Sequence, residues 1–354
     1  GINETIRKIN ETNSENVLEI INKLSNFVIK DKAGTFIGSR MGRPEKAKLR
    51  KLIGSPNVLF PVGQEGGRLR SVNESIKVGS VKADFPIYFC RKCQNETIYF
   101  KCEKCGEETE KRRYCPDCKQ KFTQEKCPEH VKAQNYVDKK IDIKKYFDCA
   151  IKHLDLLPNE IPNLVKGVKG TSNRDHVPEN LAKGILRALF NLQVNKDGTI
   201  RFDASELPIT HFKAREIETD IETLKKMGYE KDINGKELEN EEQVLEIFPH
   251  DIILPACPES VEEKADDVFM RVANFIDSLL IKFYRMKPFY NIRAKEDLVG
   301  CLTACIAPHN CAAVIGRIIG FSKTQALLAS PYIHAAMRRD CVHPKTKLFF
   351  YNED

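Results

Sequence analysis

Four short pairs of soft metal ligands stand at near-regular intervals along the chain: Cys90 with Cys93, Cys102 with Cys105, Cys115 with Cys118, and Cys127 with His130. A Cys-x-x-Cys step can turn as a tight knuckle that aims two thiolates at one ion, and two knuckles complete a tetrahedron around zinc. Eight such ligands predict two zinc ions. Sequential pairing gives one four-cysteine site and one site of three cysteines with His130; crossed pairing between knuckles satisfies the same chemistry. With every position filled by protein, the zinc is structural rather than catalytic, and a small block so poor in large apolar residues depends on it to fold. Thiol–disulfide exchange is the competing chemistry, but no thioredoxin-like βαβ pattern surrounds these pairs.

Seven of the 13 cysteines fall in this block, which points to metal in a reducing compartment and to a cytoplasmic protein rather than to a disulfide framework. Cys149, Cys257, Cys301, Cys305 and Cys311 sit among apolar neighbours and read as buried thiols. The 354 residues favour two or three cores, and 41% apolar with 30% charged residues describes a folded, soluble chain. No apolar run is long enough to span a membrane, and no secretory signal is visible. The chain opens on Gly1 rather than Met and reads as a piece of a longer one. A net charge of +7 permits a polyanionic partner without demanding one. The local picture is stronger: between Arg40 and Lys51 six Lys or Arg residues face one acid, Glu45, an excess suited to phosphate or to a solvated helix face.

The elements that must position these groups follow from periodicity. Val17, Ile21, Leu24 and Val28 predict an amphipathic helix before Asp31, and Pro44 opens a short basic helix. Residues 57–63 read as a buried strand. Ile143, Tyr146, Ala150 and Leu154 share one helical face. A loop from Gly167 leads into a helix ending near Phe190, and Asp197-Gly198 marks a hairpin. The clearest helix runs from Ser260 to Tyr284: Ser260 and Glu263 fit a capping box, and Val268, Val272, Phe275, Leu279 and Phe283 form a core stripe.

Several longer strings carry a resemblance. "SRMGRPEKAKLRK", "VLFPVGQEGG", "KGVKGTSNRDHVPENLAKGILRA", "DGTIRFDA", "THFKAREI", "KPFYNIRAKEDLVG", "APHNCAAVIGRIIGFS" and "SPYIHAAMRRDC" together resemble the large subunit of the archaeal D-family DNA polymerases over nearly the whole chain up to Asp340. The resemblance implies an α+β fold: a double-psi β-barrel polymerase core of the two-barrel type, with an inserted zinc-ribbon domain and helical segments. The implied divisions are residues 1–85 for the N-terminal helix and part of the first barrel, 86–132 for the double zinc ribbon, and 133–340 for the helical and barrel core. The implied activity is template-directed nucleotidyl transfer with Mg2+ held by aspartates. The implied partners are primer-template DNA, dNTPs, a small subunit bearing a 3′–5′ exonuclease, and a sliding clamp.

The resemblance also locates a departure. The family's metal-binding aspartates lie in an Asp-Gly-Asp stretch after Arg-Arg-Asn-Cys, whereas this chain passes from "RRDC" to "VHPKTK" and lacks them. "CVHPKTKL" resembles the first block of an intein, so residues 341–354 read as its start, with Cys341 as the splicing nucleophile. The alternative is that Cys341 is the family's own cysteine and the tail is divergent. Ser330, Ile333 and Met337 stand where the family tends to carry His, an aromatic residue and a basic residue. On family positions, Arg43, Lys46, Lys48, Arg317, Arg338 and Arg339 are the candidates for DNA or nucleotide contact. His211, His309 and His334 could orient substrate or serve as hydrogen-bonded structural histidines. Without a catalytic carboxylate pair, the chain read literally is also compatible with a non-catalytic zinc-ribbon module that binds DNA or RNA, and a protein-splicing precursor is a third reading.

Overall fold

A computed structural model describes residues 9, 17–25, 55–130, 132–171, 174, 176–260, 263–307 and 313–337, and the backbone of 345–350. Helix α1 (Val17–Leu24) forms over the first part of the predicted span, with Val17 and Ile21 exposed; Val28 lies outside the described residues. The basic string with Arg43, Lys46 and Lys48 lies outside the described residues, as do His309, Cys311, Arg338, Arg339 and Cys341.

The segment predicted as a strand from Asn57 to Gly63 is extended and buried, but it pairs only in places. Val58, Phe60 and Val62 turn into one core while Asn57 N and Val62 N donate to Lys166 O and Val168 O at 2.8 and 2.9 Å. Pro61 removes one donor from any continuous ladder. Helix α2 (Val72–Val78) follows, capped by Ser71 and stopped by Gly79 at φ +87°.

Five strands carry the cysteine block: β1 (Val81–Cys90), β2 (Asn95–Thr97), β3 (Glu110–Tyr114), β4 (Lys121–Phe122) and β5 (Tyr136–Ile141). The first half of β1 pairs with β5, from Val81 opposite Ile141 to Pro86 opposite Tyr136. Its second half pairs with β2 and β3. One long strand thus leaves the core and ends on the first metal ligand.

Helix α3 (Ile143–His153) starts at Asp142, whose carboxylate accepts from Lys145 N at 3.3 Å. Its buried face holds Ile143, Tyr146, Phe147 and Ala150, with Leu154 buried just beyond, as the period requires. Helix α4 (Leu181–Leu189), capped by Asn180, crosses so close to the 57–63 segment that a Cβ on Gly184 would overlap the Val58 side chain. These elements share a core with Phe60, Phe85, Ile98 and Tyr99, so residues on both sides of the cysteine block pack together and the block is an excursion from one core.

The expected hairpin at Asp197-Gly198 is half right. The turn exists, with Gly198 at φ +84°. Only its far side becomes a strand, however: before it Leu192 is drawn into the first core, and Val194 is buried with its N–H on Pro56 O at 2.8 Å. Beyond it come β6 (Phe202–Pro208), β7 (His211–Lys213), α5 (Ile221–Lys226), β8 (Val244–Glu246) and β9 (Asp251–Pro255). Helix α6 (Ala265–Ser278) begins later than the capping box predicts: Lys264 is the cap residue, and the Glu263 carboxylate instead takes Arg271 Nη2 at 2.8 Å. Its stripe is as expected, with Val268, Val272 and Phe275 buried and Leu279 and Phe283 partly so. The helix widens into a π-helical turn, Leu279–Tyr284, ending at Arg285 with φ +58°.

The remaining strands are β10 (Leu302–Ile306), β11 (Val314–Ser322) and β12 (Ala326–Ala329); helix α7 (Pro331–Ala336) precedes β13 (Lys345–Phe350). They close with β6 and β9 into a barrel in the order β10-β11-β9-β12-β6-β13. The pairs β9/β11 and β6/β12 run parallel and the other four are antiparallel. Leu254, Ile318, Phe321, Leu327, Ile333 and Met337 fill its core. The fold is mixed α+β, and the backbone after position 341 supplies a barrel strand, paired on both edges.

Candidate metal centres

The first cluster is built by β1 and two knuckles. Cys90 ends the strand, fully buried, and the turn returns Cys93 N to 3.4 Å from Cys90 Sγ. Cys102 and Cys105 form the second knuckle, which closes when Gly106 at φ +75° donates its N–H to Cys102 O at 2.9 Å. The Sγ atoms of Cys90 and Cys105 lie 3.5 Å apart and those of Cys93 and Cys102 lie 3.9 Å apart. Zn–S bonds of about 2.3 Å place the corners of a tetrahedron roughly 3.8 Å from each other, so the spacing fits zinc.

The second cluster repeats this geometry. Lys119, at φ +59°, donates to Cys115 O at 2.9 Å, as Gly106 does to Cys102 O. Cys118 and Cys127 Sγ are 3.7 Å apart, and His130 Nδ1 is 3.8 Å from Cys127 Sγ. In each cluster the four ligand atoms lie within 4.8 Å of one another, and the pairing is sequential: Cys90, Cys93, Cys102, Cys105, then Cys115, Cys118, Cys127, His130.

The thiols are electrostatically prepared. The Glu107 N–H lowers Cys105 to about 7, and the Cys118 N–H lowers Cys115. Hydrogen bonding with Cys105 pushes Cys93 up to about 12, since neighbouring thiolates resist sharing one site. A dication removes that conflict. Of the other thiols, Cys305 is buried and its pKa is raised by burial, whereas Cys149, Cys257 and Cys301 are only half-buried.

Among the described residues these are the two clusters able to hold an ion. Thiolate and imidazole suit zinc, whereas magnesium takes an octahedron of oxygens, so neither cluster fits Mg2+.

The barrel shows where the remaining candidates sit. Arg317 on β11 is matched within the protein: its Nε and Nη2 meet the fully buried Asp251 carboxylate at 2.8 and 2.9 Å. Tyr229 donates its hydroxyl to the same carboxylate at 2.5 Å, stacks on Phe248 at 4.3 Å, and has its pKa raised chiefly by burial. An acid at the head of the apolar run Ile252–Leu254 was the available signal for a buried partner, and the sequence reading overlooked it. His211 is buried with Nδ1 2.9 Å from Thr210 Oγ1, a structural arrangement. His334 Nδ1 lies 3.5 Å from Glu206 Oε2, which ties α7 to β6. Ser330 caps α7 by accepting from Tyr332 N at 3.2 Å, and Ile333 and Met337 are buried in the barrel core.

Comparison with known proteins decides what this assembly is part of. Residues 159–348 match the model of the catalytic domain of the DNA polymerase II large subunit DP2, and residues 1–124 match its central domain. The chain belongs to the DNA polymerase II large-subunit family. It is 44% identical to the DNA polymerase II large subunit of Archaeoglobus fulgidus over 96% of this chain and 30% of that protein. For the large subunit of Nanoarchaeum equitans the identity is 43%, over 93% of this chain and 29% of that protein. For that of Thermococcus kodakarensis it is 40%, over 94% of this chain and 18% of that protein. The chain therefore spans less than a third of these DNA polymerase II large subunits. No helix among the described residues is long and apolar enough to cross a membrane.

Proposed function

We propose that this chain is a portion of the catalytic subunit of a replicative DNA polymerase, which binds primer-template DNA and dNTPs and extends the primer by nucleotidyl transfer. One observation carries the reading: the catalytic-domain match over 159–348 coincides with the barrel, reaching from before β6 into β13. The parallel pairs β9/β11 and β6/β12 within an otherwise antiparallel closed barrel support the double-psi assignment. Two structural zinc ions, held by Cys90, Cys93, Cys102 and Cys105 and by Cys115, Cys118, Cys127 and His130, fix the excursion from the core. Arg43, Lys46, Lys48, Arg338 and Arg339 contact phosphate of DNA or nucleotide. Arg317, already matched by Asp251, serves to lock β9 against β11. In the complete enzyme a small exonuclease subunit and a sliding clamp are the protein partners, and the compartment is the cytoplasm.

Where the family resemblance places an acidic stretch for the Mg2+ ions of nucleotidyl transfer, this chain reads "VHPKTK". The chain alone is accordingly inactive. Primer extension with the purified chain is the test: undetectable synthesis agrees with the reading, and robust synthesis places the catalytic centre elsewhere.

Cys341 is proposed as an intein's first residue. Its thiolate attacks the Asp340 carbonyl, the C–N bond breaks, and a thioester and a free Cys341 amine result. The pairing of Lys345–Phe350 with both β6 and β10 favours a second reading, in which the tail is a native barrel strand. Reading the coding sequence beyond Asp354 separates them: a terminal His-Asn block followed by Cys-Asp-Gly-Asp identifies the intein, and its absence leaves the strand.

A further inference from the structure

A cleft of about 700 Å³ opens between the second knuckle of the first metal cluster and the helical core, within the range of ligand-sized cavities. Its floor is α3 around Tyr146 and Ala150; one wall is the knuckle segment from Tyr99 to Gly106, and the other joins the start of α4 to the π-helical turn at Phe283 and Tyr284. Two aromatic rings on opposite walls are strongly exposed, Phe100 at 61% and Tyr284 at 47%. Lys183 reaches across the second wall, donating to Tyr284 Oη at 2.8 Å and lying 5.5 Å from the Phe283 ring centre. His153, whose Nε2 is 3.0 Å from Phe283 O, braces that turn from α3.

The charge balance is one-sided. The cleft's carboxylates are matched internally: Glu103 by Lys145 at 2.9 Å, and Glu179 by Arg187 at 2.7 Å. Lys101, Lys104 and Lys183 line the same cleft without a carboxylate within salt-bridge reach among the described residues. Flat exposed rings interleaved with spare cations on a concave wall are the features that hold unpaired nucleotides, whose bases are free to stack and whose phosphates need counter-charge. A duplex keeps its bases stacked inside and gains nothing from such rings.

We propose that this cleft binds a single-stranded segment of nucleic acid, with bases against Phe100 and Tyr284 and phosphates near Lys101, Lys104 and Lys183. The proposal rests on the nucleic-acid part of the preceding reading and adds to it a strand state and a place.

The test uses the intact chain with oligodeoxythymidylate and, in parallel, a duplex of equal length, both followed by fluorescence anisotropy. Phe100→Ala and Tyr284→Ala should each weaken oligothymidylate binding about tenfold, since stacking on one ring is worth on the order of that factor. Lys101→Ala with Lys104→Ala should make the salt dependence shallower by roughly 1.4 in the log–log slope, from about 0.7 per phosphate on a single strand. Duplex binding should be unchanged in all variants. Retained zinc content shows that the variants still fold, and a 5-iododeoxyuridine oligonucleotide should crosslink to Phe100 or Tyr284 in the unmutated chain. Unchanged oligothymidylate binding in the variants, or crosslinks confined to other surfaces, overturns the cleft assignment while leaving the DNA reading standing. Failure to bind either nucleic acid overturns both. Displacement by polyglutamate as effective as by oligothymidylate also overturns it, and points to an acidic peptide instead.

Discussion

Arg317 and Asp251 face each other across two parallel strands in direct register, Arg317 Nε 2.8 Å from one carboxylate oxygen and Nη2 2.9 Å from the other. The carboxylate is fully buried and also accepts from Tyr229, so three separate segments of the barrel lobe converge on one charge. Removing one partner leaves the other charged and without its counter-ion in a dry site, which is the costly way to break a buried pair. Asp251→Ala should lower stability by about 3 kcal/mol in urea unfolding. Arg317→Lys should lose part of that, because an ammonium cannot make the forked contact. If Arg317→Lys instead left stability untouched and weakened DNA binding, the residue would be a ligand contact.

The metal clusters predict stoichiometry. Cys102→Ser and Cys115→Ser should each reduce bound zinc from two to one per chain by atomic absorption, because Cys102 and Cys115 belong to different clusters. Chelation should expose the segment between Cys90 and His130 to protease while the barrel persists. One zinc in the unmutated chain would break the assignment of eight ligands.

Asp220 caps α5, accepting from Thr223 Oγ1 at 2.7 Å and Thr223 N at 2.8 Å, and these bonds, the hydroxyl's first, hold its pKa below the ordinary carboxylate value. A depressed folded pKa adds stability that is fully present above the unfolded value of about 4 and is lost as pH falls through the lower folded value. Asp220→Ala should cost about 1 kcal/mol near neutrality. The difference between the two proteins should shrink below about pH 4 in paired thermal melts.

Gly320 sits at the register shift of β11 against β9, where a Cβ would collide with the Ile217 carbonyl and come within 2.6 Å of Thr219 Oγ1. Both obstacles belong to a buried segment; Thr219 Oγ1 is itself held to Ile319 O at 2.7 Å. Gly320→Ala should therefore destabilise by roughly 1–3 kcal/mol, the usual range for overpacking, and lower the melting temperature. A neutral result would mean that the crossing segment moves freely.

Lys46→Glu with Lys48→Glu should weaken primer-template binding in the assembled enzyme and flatten its dependence on salt. An unchanged slope would show that these lysines do not touch phosphate.

Much of this was legible in the residues. Cys-x-x-Cys spacing is a local instruction, and both clusters form from adjacent knuckles, whereas the choice of sequential over crossed pairing was not legible in the spacing. The stripes of α3 and α6 were readable because helical period alone selects their buried faces. The start of α6 was misread because Glu263 found Arg271 across two turns rather than the backbone of Ser260. The first arm of the expected hairpin was lost because Leu192 is buried in the first core and Val194 N donates to Pro56 O rather than to β6.

By itself the sequence determined the two cysteine-rich clusters, the helical faces and the family, all of which depend on spacing within short windows or on identity at matched positions. Tertiary structure alone decided that Arg317 meets Asp251, that Phe100 and Tyr284 face one cleft, and that Lys345–Phe350 completes the barrel. Those partners lie tens to well over a hundred positions apart along the chain. Their meeting is set by which strands pair and which cores fill, and no local pattern encodes that choice.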